Sequence, residues 1–367
     1  MYFREKCKNY KMKDNYCILM AGGIGSRFWP MSTEEFPKQF HDVLGMGKTL
    51  LQMSFDRMLL VCPKENIYIV TNSDYKELVQ AQLPGIDENQ ILLEPSRKNT
   101  APCVAYASYK IKKMNPNATL VVAPSDHIVM NEVAFKETLE IALSKANSED
   151  CLVTLGIKPS RPDTGYGYIQ FLDNVEGTID VVRDVKMFTE KPNLELAKEF
   201  IDSGDFYWNA GIFVWTVDSI IKSFEEHLSE IHELFIEGMN VYNTDMESEF
   251  IDHTYAECTN ISIDYGIMEK AQNVYVVLSD FGWSDLGTWG ALYGHIDKDE
   301  NNNAVIGDKT NLYDSKNCIV RLPKDKLAVI QGLDDYIVVE EKGVLLICKK
   351  EEEQRIKEFV TDLKQKR

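Results

Sequence analysis

The sequence lacks the patterns that mark disulfide-rich, zinc-binding, secreted and membrane proteins. Its eight cysteines include no C-x-x-C pair and its six histidines show no ligand spacing, so we expect reduced thiols, several of them in the core. The N-terminus is charged and has no apolar signal region, and no apolar run approaches the length of a membrane-spanning helix. These absences predict a cytoplasmic protein with no membrane partner.

Basic residues are also in short supply. The 367 residues include 40 Lys and Arg against 58 Asp and Glu, which gives a formal net charge of −18. This excess of acid argues against a nucleic acid or an anionic membrane as partner. An anionic small molecule would need a local cluster of cations or a metal ion. The length fits one large α/β domain followed by a smaller one.

The most informative stretch is residues 16–39, YCILMAGGIGSRFWPMSTEEFPKQ. Its apolar start predicts a buried strand, and a glycine-rich loop follows this strand directly. The loop contains Ala21, Gly22, Gly23 and Gly25. Such glycines let backbone N–H groups approach a phosphate, and Arg27 and Lys38 add two positive charges nearby.

Two familiar nucleotide-binding patterns fail at this loop. The dinucleotide pattern G-x-G-x-x-G needs glycine where Phe28 stands, and the P-loop pattern needs glycine where Asp42 stands. A glycine-rich turn after a strand is common and does not by itself predict a nucleotide site. Neither a Rossmann dehydrogenase nor a P-loop NTPase is supported.

The complete string A-G-G-x-G-S-R-x-W-P-x-S, followed by P-K-Q-F, resembles the sugar nucleotidyltransferases. Trp29 and Gln39 favour the mannose-1-phosphate guanylyltransferases, or GDP-mannose pyrophosphorylases, over relatives that use uridine or thymidine nucleotides. Phe28 and Thr49 stand where leucine and serine are more usual. Further matching blocks extend to about Asp335, so the resemblance covers most of the chain.

Short apolar runs alternate with segments of helical spacing after the loop. We predict strands at 66–70, 91–93, 119–123 and 152–157 and helices at 50–60, 74–83, 100–114, 131–146 and 217–235. This alternation predicts an α/β fold, a Rossmann-like, mostly parallel sheet flanked by helices, with ligands at the carboxyl ends of the strands.

Three domains or segments are expected. Residues 1–11 form a loose N-terminal extension, residues 12–298 the nucleotidyltransferase domain, and residues 299–367 a small β-rich domain. The polar DENNN sequence marks the boundary between the last two, and 351–366 predicts a terminal helix with one apolar stripe. The resemblance implies that the small domain is β-helix-like and contributes to a homodimer.

Polar residues follow several of the predicted strands. Glu94 could accept hydrogen bonds from guanine, while Asn99 and Thr100 could simply cap the next helix. Asp126 follows another strand and Asp285 lies 159 residues further on. A single aspartate at a strand end is more often a turn former than a metal ligand. The resemblance implies that Glu94, Asn99 and Thr100 bind the nucleotide, together with the loop, and that Asp126 and Asp285 bind Mg²⁺, with Mn²⁺ as an alternative ion.

Three later segments could bind a sugar. Tyr166 and Gly167 offer an aromatic face and a close backbone approach, although a tight turn would use the same residues. Glu190 suits sugar hydroxyls and Lys191 suits a phosphate, although both could be a solvated surface. Asn209 is the one strong hydrogen-bonding side chain in its apolar strand. The resemblance implies that these residues bind the hexose phosphate.

The resemblance implies that GTP and α-mannose 1-phosphate give GDP-mannose and pyrophosphate. A sugar phosphate is already largely ionised, so in-line attack on the α-phosphorus needs no general base and no covalent intermediate. Arg27, Lys38 and Lys191 are the expected catalytic residues. Two alternatives stay open: another hexose 1-phosphate or nucleotide, and a catalytically silent regulator that binds a nucleotide sugar. An added isomerase domain is not expected.

Overall fold

The computed structural model describes residues 12–172 and 181–365, so the expected N-terminal extension, residues 1–11, lies outside the described residues. The chain divides into two compact units. The first contains the chain up to Gly22 together with Ser54–Ser125 and Val129–Trp283. The second contains Gly23–Met53, Asp126–Ile128 and the chain from Ser284 onward. The predicted boundary near residue 298 stays a prediction, since the compact units follow a different division.

In the part of the chain that the structure describes, eleven strands precede residue 285. They are β1 Asn15–Met20, β2 Ile67–Asn72, β3 Ile91–Glu94, β4 Thr119–Pro124, β5 Ile128–Val129, β6 Leu152–Ile157, β7 Gly167–Phe171, β8 Val182–Glu190, β9 Phe206–Thr216, β10 Val274–Ser279 and β11 Trp283–Ser284. Nine of these form the sheet of the first unit, in the order β3-β2-β1-β4-β9-β6-β10-β8-β7. The expected α/β sheet is therefore present.

The sheet is mixed. Strand β1 pairs in parallel with β2 and β4, and β2 with β3, as the alternation of strands and helices predicts. Strand β9 enters between β4 and β6 and is antiparallel to both. Strands β7 and β8 form an antiparallel pair at one edge. The parallel pairing therefore holds for the first four strands and for β6 with β10.

Ten α-helices are present in the described ranges. They are α1 Leu50–Met58, α2 Lys76–Gln82, α3 Thr100–Met114, α4 Glu132–Ser148, α5 Leu194–Ser203, α6 Val217–His227, α7 Ser229–Ile236, α8 Glu247–Glu257, α9 Trp289–Tyr293 and α10 Ile356–Gln365. The predicted helix over 217–235 is two helices, because Leu228 has the non-helical angles φ −138° and ψ 54°. No glycine or proline marks this break in the sequence.

The core of the first unit lies between the sheet and helices α3, α6 and α7. Ile18, Leu120 and Phe213 contribute from the strands, and Tyr109 and Phe224 from the helices; all five are buried. Helix α3 is capped by Asn99, whose side chain accepts a hydrogen bond from the Thr100 backbone N–H at 2.9 Å. This packing holds the ends of β1, β3 and β4 in place.

Six further strands lie among the described residues of the second unit. They are β12 Ala304–Ile306, β13 Thr310–Tyr313, β14 Ile319–Arg321, β15 Ala328–Gln331, β16 Tyr336–Glu341 and β17 Val344–Lys349. Strands β12, β14 and β16 pair in parallel, as do β13 and β15, which is the arrangement of a β-helix-like domain. Phe28, Trp289, Ile337 and Ile356 belong to one buried cluster, so the glycine-rich segment shares a core with the C-terminal strands.

The described residues confirm the expectation of free, buried thiols. The seven cysteines described are free and buried. No helix in residues 12–172 or 181–365 has both the length and the apolar character needed to cross a membrane.

Candidate active site

Gly25 has a special position in the glycine-rich loop. Its φ angle is +70°, which L side chains rarely adopt, and a Cβ added there would lie 2.5 Å from the Cβ of Lys38. Gly23, by contrast, would place a Cβ in open space. Gly25 is therefore required by the passage of the Lys38 side chain as well as by the turn.

Lys38 is the centre of a compact charged cluster in the second unit. Its ammonium lies 2.9 Å from Asp126 Oδ2 and donates to the backbone carbonyls of Asp285 at 2.6 Å and Leu286 at 3.0 Å. An ammonium has three donors, and these three acceptors use all of them. The Lys38 side chain is only 3% exposed. Lys38 thus joins two aspartates that are far apart in the sequence.

Asp126 is half-buried and ionised in this cluster. Burial by itself raises the pKa of the Asp126 carboxyl, but the Lys38 ammonium and His127 more than offset this effect and hold the pKa below its usual value. His127 Nε2 lies 3.8 Å from Asp126 Oδ1. A carboxylate that stays ionised is a suitable ligand for a hard divalent cation.

The Asp285 turn is unusually tight. Asp285 Oδ1 accepts from the Gly287 backbone N–H at 2.9 Å, and a Cβ on Gly287 would lie 2.7 Å from Asp285 Oδ2. Leu286 has a φ of +46°, which is rare for a branched residue. This conformation directs the carbonyls of residues 285 and 286 to Lys38, and it leaves the second carboxylate of the cluster on a rigid turn.

The donor set of this cluster fits Mg²⁺ only in part. Asp126 and Asp285 supply carboxylate oxygens, and the described residues contain no group of three or more His, Cys, Asp or Glu that could hold a metal ion. Mg²⁺ is commonly held by one or two carboxylates together with substrate phosphates and water. The two aspartates therefore suit an ion that arrives with a phosphate ligand.

Arg27 lies in the same unit and contacts the C-terminal segment. Its Nε donates to Gln354 Oε1 at 2.8 Å. Next to Gln354, Glu353 accepts from the Gly290 backbone N–H at 2.7 Å, at the start of helix α9. The segment that follows the last strand thus contacts Arg27, just after the glycine-rich loop, and helix α9, just after the Asp285 turn.

Glu94 is buried at the end of β3 in the first unit. Its Oε1 accepts from the Tyr255 hydroxyl at 2.9 Å, and its Oε2 faces Gly22, where a Cβ would lie 3.3 Å away. Burial raises the pKa of Glu94 to about 7, although Tyr255 and Arg97 act in the opposite direction. A buried carboxylate with spare acceptor capacity beside a glycine is suited to contact a purine base.

Asn99 and Thr100 have clear structural roles. Asn99 caps helix α3 and has a φ of +68°. The Thr100 hydroxyl accepts from the Ile263 backbone N–H at 2.9 Å. These contacts agree with the capping alternative, and a role of either residue in nucleotide binding stays a prediction.

An aromatic and charged cluster surrounds Tyr166 in the first unit. The Tyr166 ring meets Trp208 and Trp283 edge to face, with centroids 5.0 and 5.2 Å apart. The Arg161 guanidinium lies over both Tyr166 and Trp208. Tyr166 is therefore a packed, buried ring, and the neighbouring Gly167 begins strand β7.

Strands β7 and β8 bring Gly167 beside Glu190. The two residues are register partners, and a Cβ on Gly167 would lie 3.1 Å from Glu190 Oε1. Lys191 has a φ of +45°, and its ammonium lies 3.2 Å from Glu190 Oε2. The pair is thus held at a defined turn, with Lys191 exposed and Glu190 partly buried.

Asn209 belongs to a polar network on β9. Its Oδ1 accepts from the Gly211 backbone N–H at 3.0 Å and from the Thr154 hydroxyl at 3.2 Å, and its Nδ2 donates to Asp264 Oδ1 at 2.7 Å. Burial, and then the charge of Glu190, raise the pKa of Asp264 to about 6. Asp264, on a π-helical turn at Asp264–Met268, was not predicted as a site residue.

Two models of protein families match the chain. One, described as Nucleotidyl transferase, matches residues 16–302. The other, described as MannoseP isomerase/GMP-like beta-helix domain, matches residues 309–363. The chain belongs to the nucleotidyl transferase family.

Individual relatives of this nucleotidyl transferase agree with the family assignment. It is 36% identical over 354 residues to the alginate biosynthesis protein AlgA of Pseudomonas aeruginosa, covering 94% of this chain and 71% of that protein. It is 34% identical over 351 residues to the mannose-1-phosphate guanylyltransferase of Escherichia coli, covering 95% of this chain and 74% of that protein. A Thermus thermophilus structure described as mannose-1-phosphate geranyltransferase matches with a TM-score of 0.85 and 31% identity. The match covers 96% of this chain and 99% of that one.

These matches confirm the family and the fold class predicted from the sequence. The nucleotidyl transferase part and the β-helix-like part both correspond to recognised models. The structure adds three residues that the sequence analysis did not predict as site residues, namely Tyr255, Asp264 and Gln354. Each contacts a predicted site residue through a long-range hydrogen bond. No local sequence signal could have identified these pairs.

Proposed function

We propose that this nucleotidyltransferase transfers the guanylyl group of GTP to α-mannose 1-phosphate, giving GDP-mannose and pyrophosphate. The observation that carries the proposal is the Lys38 cluster, which joins Asp126 to the Asp285 turn. The names of the relatives supply the substrate class, since several are called mannose-1-phosphate guanylyltransferase.

The reaction is an attack by a phosphate oxygen of the sugar phosphate on the α-phosphorus of GTP. The bond from the α-phosphorus to the bridging oxygen breaks, and pyrophosphate leaves with its electron pair. The attacking phosphate has a second pKa of about 6 and is largely ionised near neutral pH, so no protein base is required. The protein's task is to hold anions together and to stabilise developing charge.

Each site residue then has a role. Arg27 and the backbone N–H groups near Ala21, Gly22, Gly23 and Gly25 bind the triphosphate. Lys38 holds the Asp126 carboxylate against the backbone of the Asp285 turn and places its charge beside the reacting phosphates. Asp126 and Asp285 would hold Mg²⁺, which neutralises phosphate charge when bound. Family members generally use a divalent metal ion of this kind.

The base and the sugar involve residues of the first unit. Glu94 accepts hydrogen bonds from the Watson–Crick edge of guanine, while Asn99 and Thr100 shape the loop beside it. Glu190 and Asn209 bind sugar hydroxyls, and Lys191 binds the sugar phosphate. Tyr166 and Gly167 form the wall next to Glu190. This assignment is supported by the Gly167 and Glu190 approach and by the Asn209 network.

The test is pyrophosphate release by the purified full chain with Mg²⁺ and α-mannose 1-phosphate. GTP is compared with UTP, dTTP, ATP and CTP, and mannose 1-phosphate with glucose 1-phosphate. We expect a strong preference for GTP and mannose 1-phosphate. Turnover with another pair would retain the reaction class and overturn the specificity, and no release with any pair would favour a silent nucleotide-sugar-binding regulator.

A further inference from the structure

Strand β9 departs from regular pairing around Asn209. The register of β6 with β9 shifts between Thr154 and Gly156, and Gly211 has a φ of +65°. Such a bulge bends the strand and changes the direction of a side chain, and bulges are frequent next to active sites. Asn209 pairs with Gly156 in this irregular stretch and is only partly buried. The strand therefore leaves a polar amide partly exposed at the bulge.

The orientation of the Asn209 amide follows from its partners. The Gly211 backbone N–H can only donate, so the atom that it meets at 3.0 Å is the carbonyl oxygen Oδ1. The amide nitrogen Nδ2 then faces Asp264 Oδ1, to which it donates at 2.7 Å. The bond to Asp264 uses one of the two hydrogens on Nδ2. These two bonds also determine the direction of the other N–H.

The packing of its turn holds Asp264 in place. Asp264 begins the π-helical turn Asp264–Met268, and both Ile263 and Ile267 are fully buried. The Ile263 backbone N–H donates to the Thr100 hydroxyl at 2.9 Å. Short π-helical turns are rare and are often found at functional sites. Because core contacts fix the turn, Asp264 can act as an anchor for the amide.

The register of the sheet places Asn209 next to Gly167 and Glu190. Tyr168 on β7 pairs with Trp208 on the antiparallel strand β9. The next pair along these strands is therefore Gly167 with Asn209, while Gly167 also pairs with Glu190 on β8. Opposite residues share one face of a sheet, so the three form a row. Gly167 has no side chain, and a Cβ there would lie 3.1 Å from Glu190 Oε1. An amide and a carboxylate thus share a row with only a glycine between them.

We propose that Asp264 is a positioning residue for the sugar: it holds the Asn209 amide so that the second N–H of Nδ2 donates to a hydroxyl oxygen of the hexose 1-phosphate. This inference rests on the proposed function, which assigns sugar hydroxyls to Asn209 and Glu190, and it adds a residue to that assignment. Asp264 acts through Asn209 and not on the ligand directly. The row would then offer a donor and an acceptor to neighbouring hydroxyl groups.

The test is titration calorimetry of mannose 1-phosphate, glucose 1-phosphate and GTP with the full chain, together with KM and kcat. We expect Asp264→Ala to weaken mannose 1-phosphate binding about tenfold and to raise its KM equally, because a hydrogen bond to a charged group is lost. GTP affinity should not change, and kcat should change less than about threefold. Asp264→Asn should stay within about threefold of the wild type, since its side-chain oxygen still accepts from Asn209.

The matched control is Glu269→Ala. Glu269 is an exposed acid directly after the same turn, and the charge of Glu190 also acts on it, raising its pKa after the effect of burial. Its loss should leave mannose 1-phosphate affinity unchanged. A double-mutant cycle of Asp264→Ala with Asn209→Ala tests the route of the effect. If Asp264 acts through Asn209, the double variant binds no more weakly than Asn209→Ala alone.

Several results would overturn the role of Asp264 while wild-type turnover leaves the proposed reaction intact. They are unchanged mannose 1-phosphate affinity in Asp264→Ala, an equal loss of GTP affinity, an equal loss in Asp264→Asn or Glu269→Ala, and additive losses in the double variant.

The wild type separates the inference from the proposed function. Wild-type protein that binds glucose 1-phosphate in place of mannose 1-phosphate, with the same tenfold loss in Asp264→Ala, would support the positioning role and overturn the choice of sugar. Wild-type protein that binds neither sugar phosphate, with or without GTP, would overturn both.

Discussion

At the scale of single residues, Lys38 combines a buried charge with three fixed acceptors. Its ammonium is bound by Asp126 and by the carbonyls of residues 285 and 286. Removing a buried charge from such a cluster leaves its partners without compensation. The side chain therefore fixes the Asp126 carboxylate and the backbone of the Asp285 turn, and its replacement tests the centre of the candidate site.

We predict that Lys38→Met lowers turnover about a hundredfold or more, because a preorganised charge beside the phosphates is lost. Lys38→Arg should not restore it, since a planar guanidinium cannot meet three acceptors arranged around an ammonium. The measurement is turnover at saturating substrates, with melting temperature as the folding check. Exposed Lys222, which pairs with Asp150, gives the control Lys222→Met. Near-normal turnover in Lys38→Met would contradict this role.

The raised pKa of Glu94 leads us to predict that GTP binding depends on pH. Its pKa is about 7, raised by burial, so below that pH the carboxyl is increasingly protonated and loses acceptor capacity for guanine. The GTP KM should rise as the pH falls below about 7, approaching about tenfold per pH unit. Glu94→Gln should be weaker at high pH and nearly independent of pH.

The matched control for Glu94 is Glu88→Gln, which alters an exposed carboxylate paired with Lys76. Its pH profile should follow the wild type. The KM for mannose 1-phosphate should not rise as Glu94 becomes protonated. A flat GTP KM between about pH 5.5 and 8 in the wild type would exclude Glu94 as the guanine contact.

At the scale of elements, the glycine-rich loop is shaped by the side chain that crosses it. Gly25→Ala would place a methyl group 2.5 Å from the Lys38 Cβ at a φ of +70°. The left-handed conformation costs about 1–2 kcal/mol and the forced contact about 1–3 kcal/mol more. We predict a lower melting temperature and reduced turnover. Gly23→Ala, which meets no atom within 4 Å, is the stability control; equal melting temperatures for both variants would refute the argument.

At the scale of the whole molecule, the C-terminal strands and the glycine-rich segment share one buried cluster. Phe28 and Trp289 lie in it together with Ile319 and Ile337. A truncation after Asn302 removes β12 to β17 and leaves those aromatic rings without their partners. We therefore predict that the truncated chain exposes apolar surface, measured by dye binding, and loses turnover. The control is Val329→Ala, at a residue that is 66% exposed.

A contrary result for the truncation is simple to recognise. If the chain ending at Asn302 kept normal turnover and bound no dye, the sequence boundary near residue 298 would also be a folding boundary. A large loss of turnover, together with dye binding, would mean that the two family models describe parts of one cooperative structure. Ile337→Ala should then lower stability by about 2–5 kcal/mol, because it empties space in the shared cluster.

The sequence by itself determined the family, the fold class and most of the regular elements. The predicted strand at 152–157 and the predicted helix at 100–114 have the observed bounds, since alternating apolar runs, caps and turns are local signals. The glycine-rich string and the later blocks also led to the nucleotidyl transferase family, because they bring unusual residues together at close spacing.

Only the tertiary structure decided which residues meet. Examples are the antiparallel entry of β9 and the approach of Lys38 to Gly25. Others are the hydrogen bonds of Asp264 with Asn209 and of Gln354 with Arg27, and the last of these joins residues 327 positions apart. Such contacts depend on how whole elements pack to bury their apolar faces, and local sequence patterns carry no record of that.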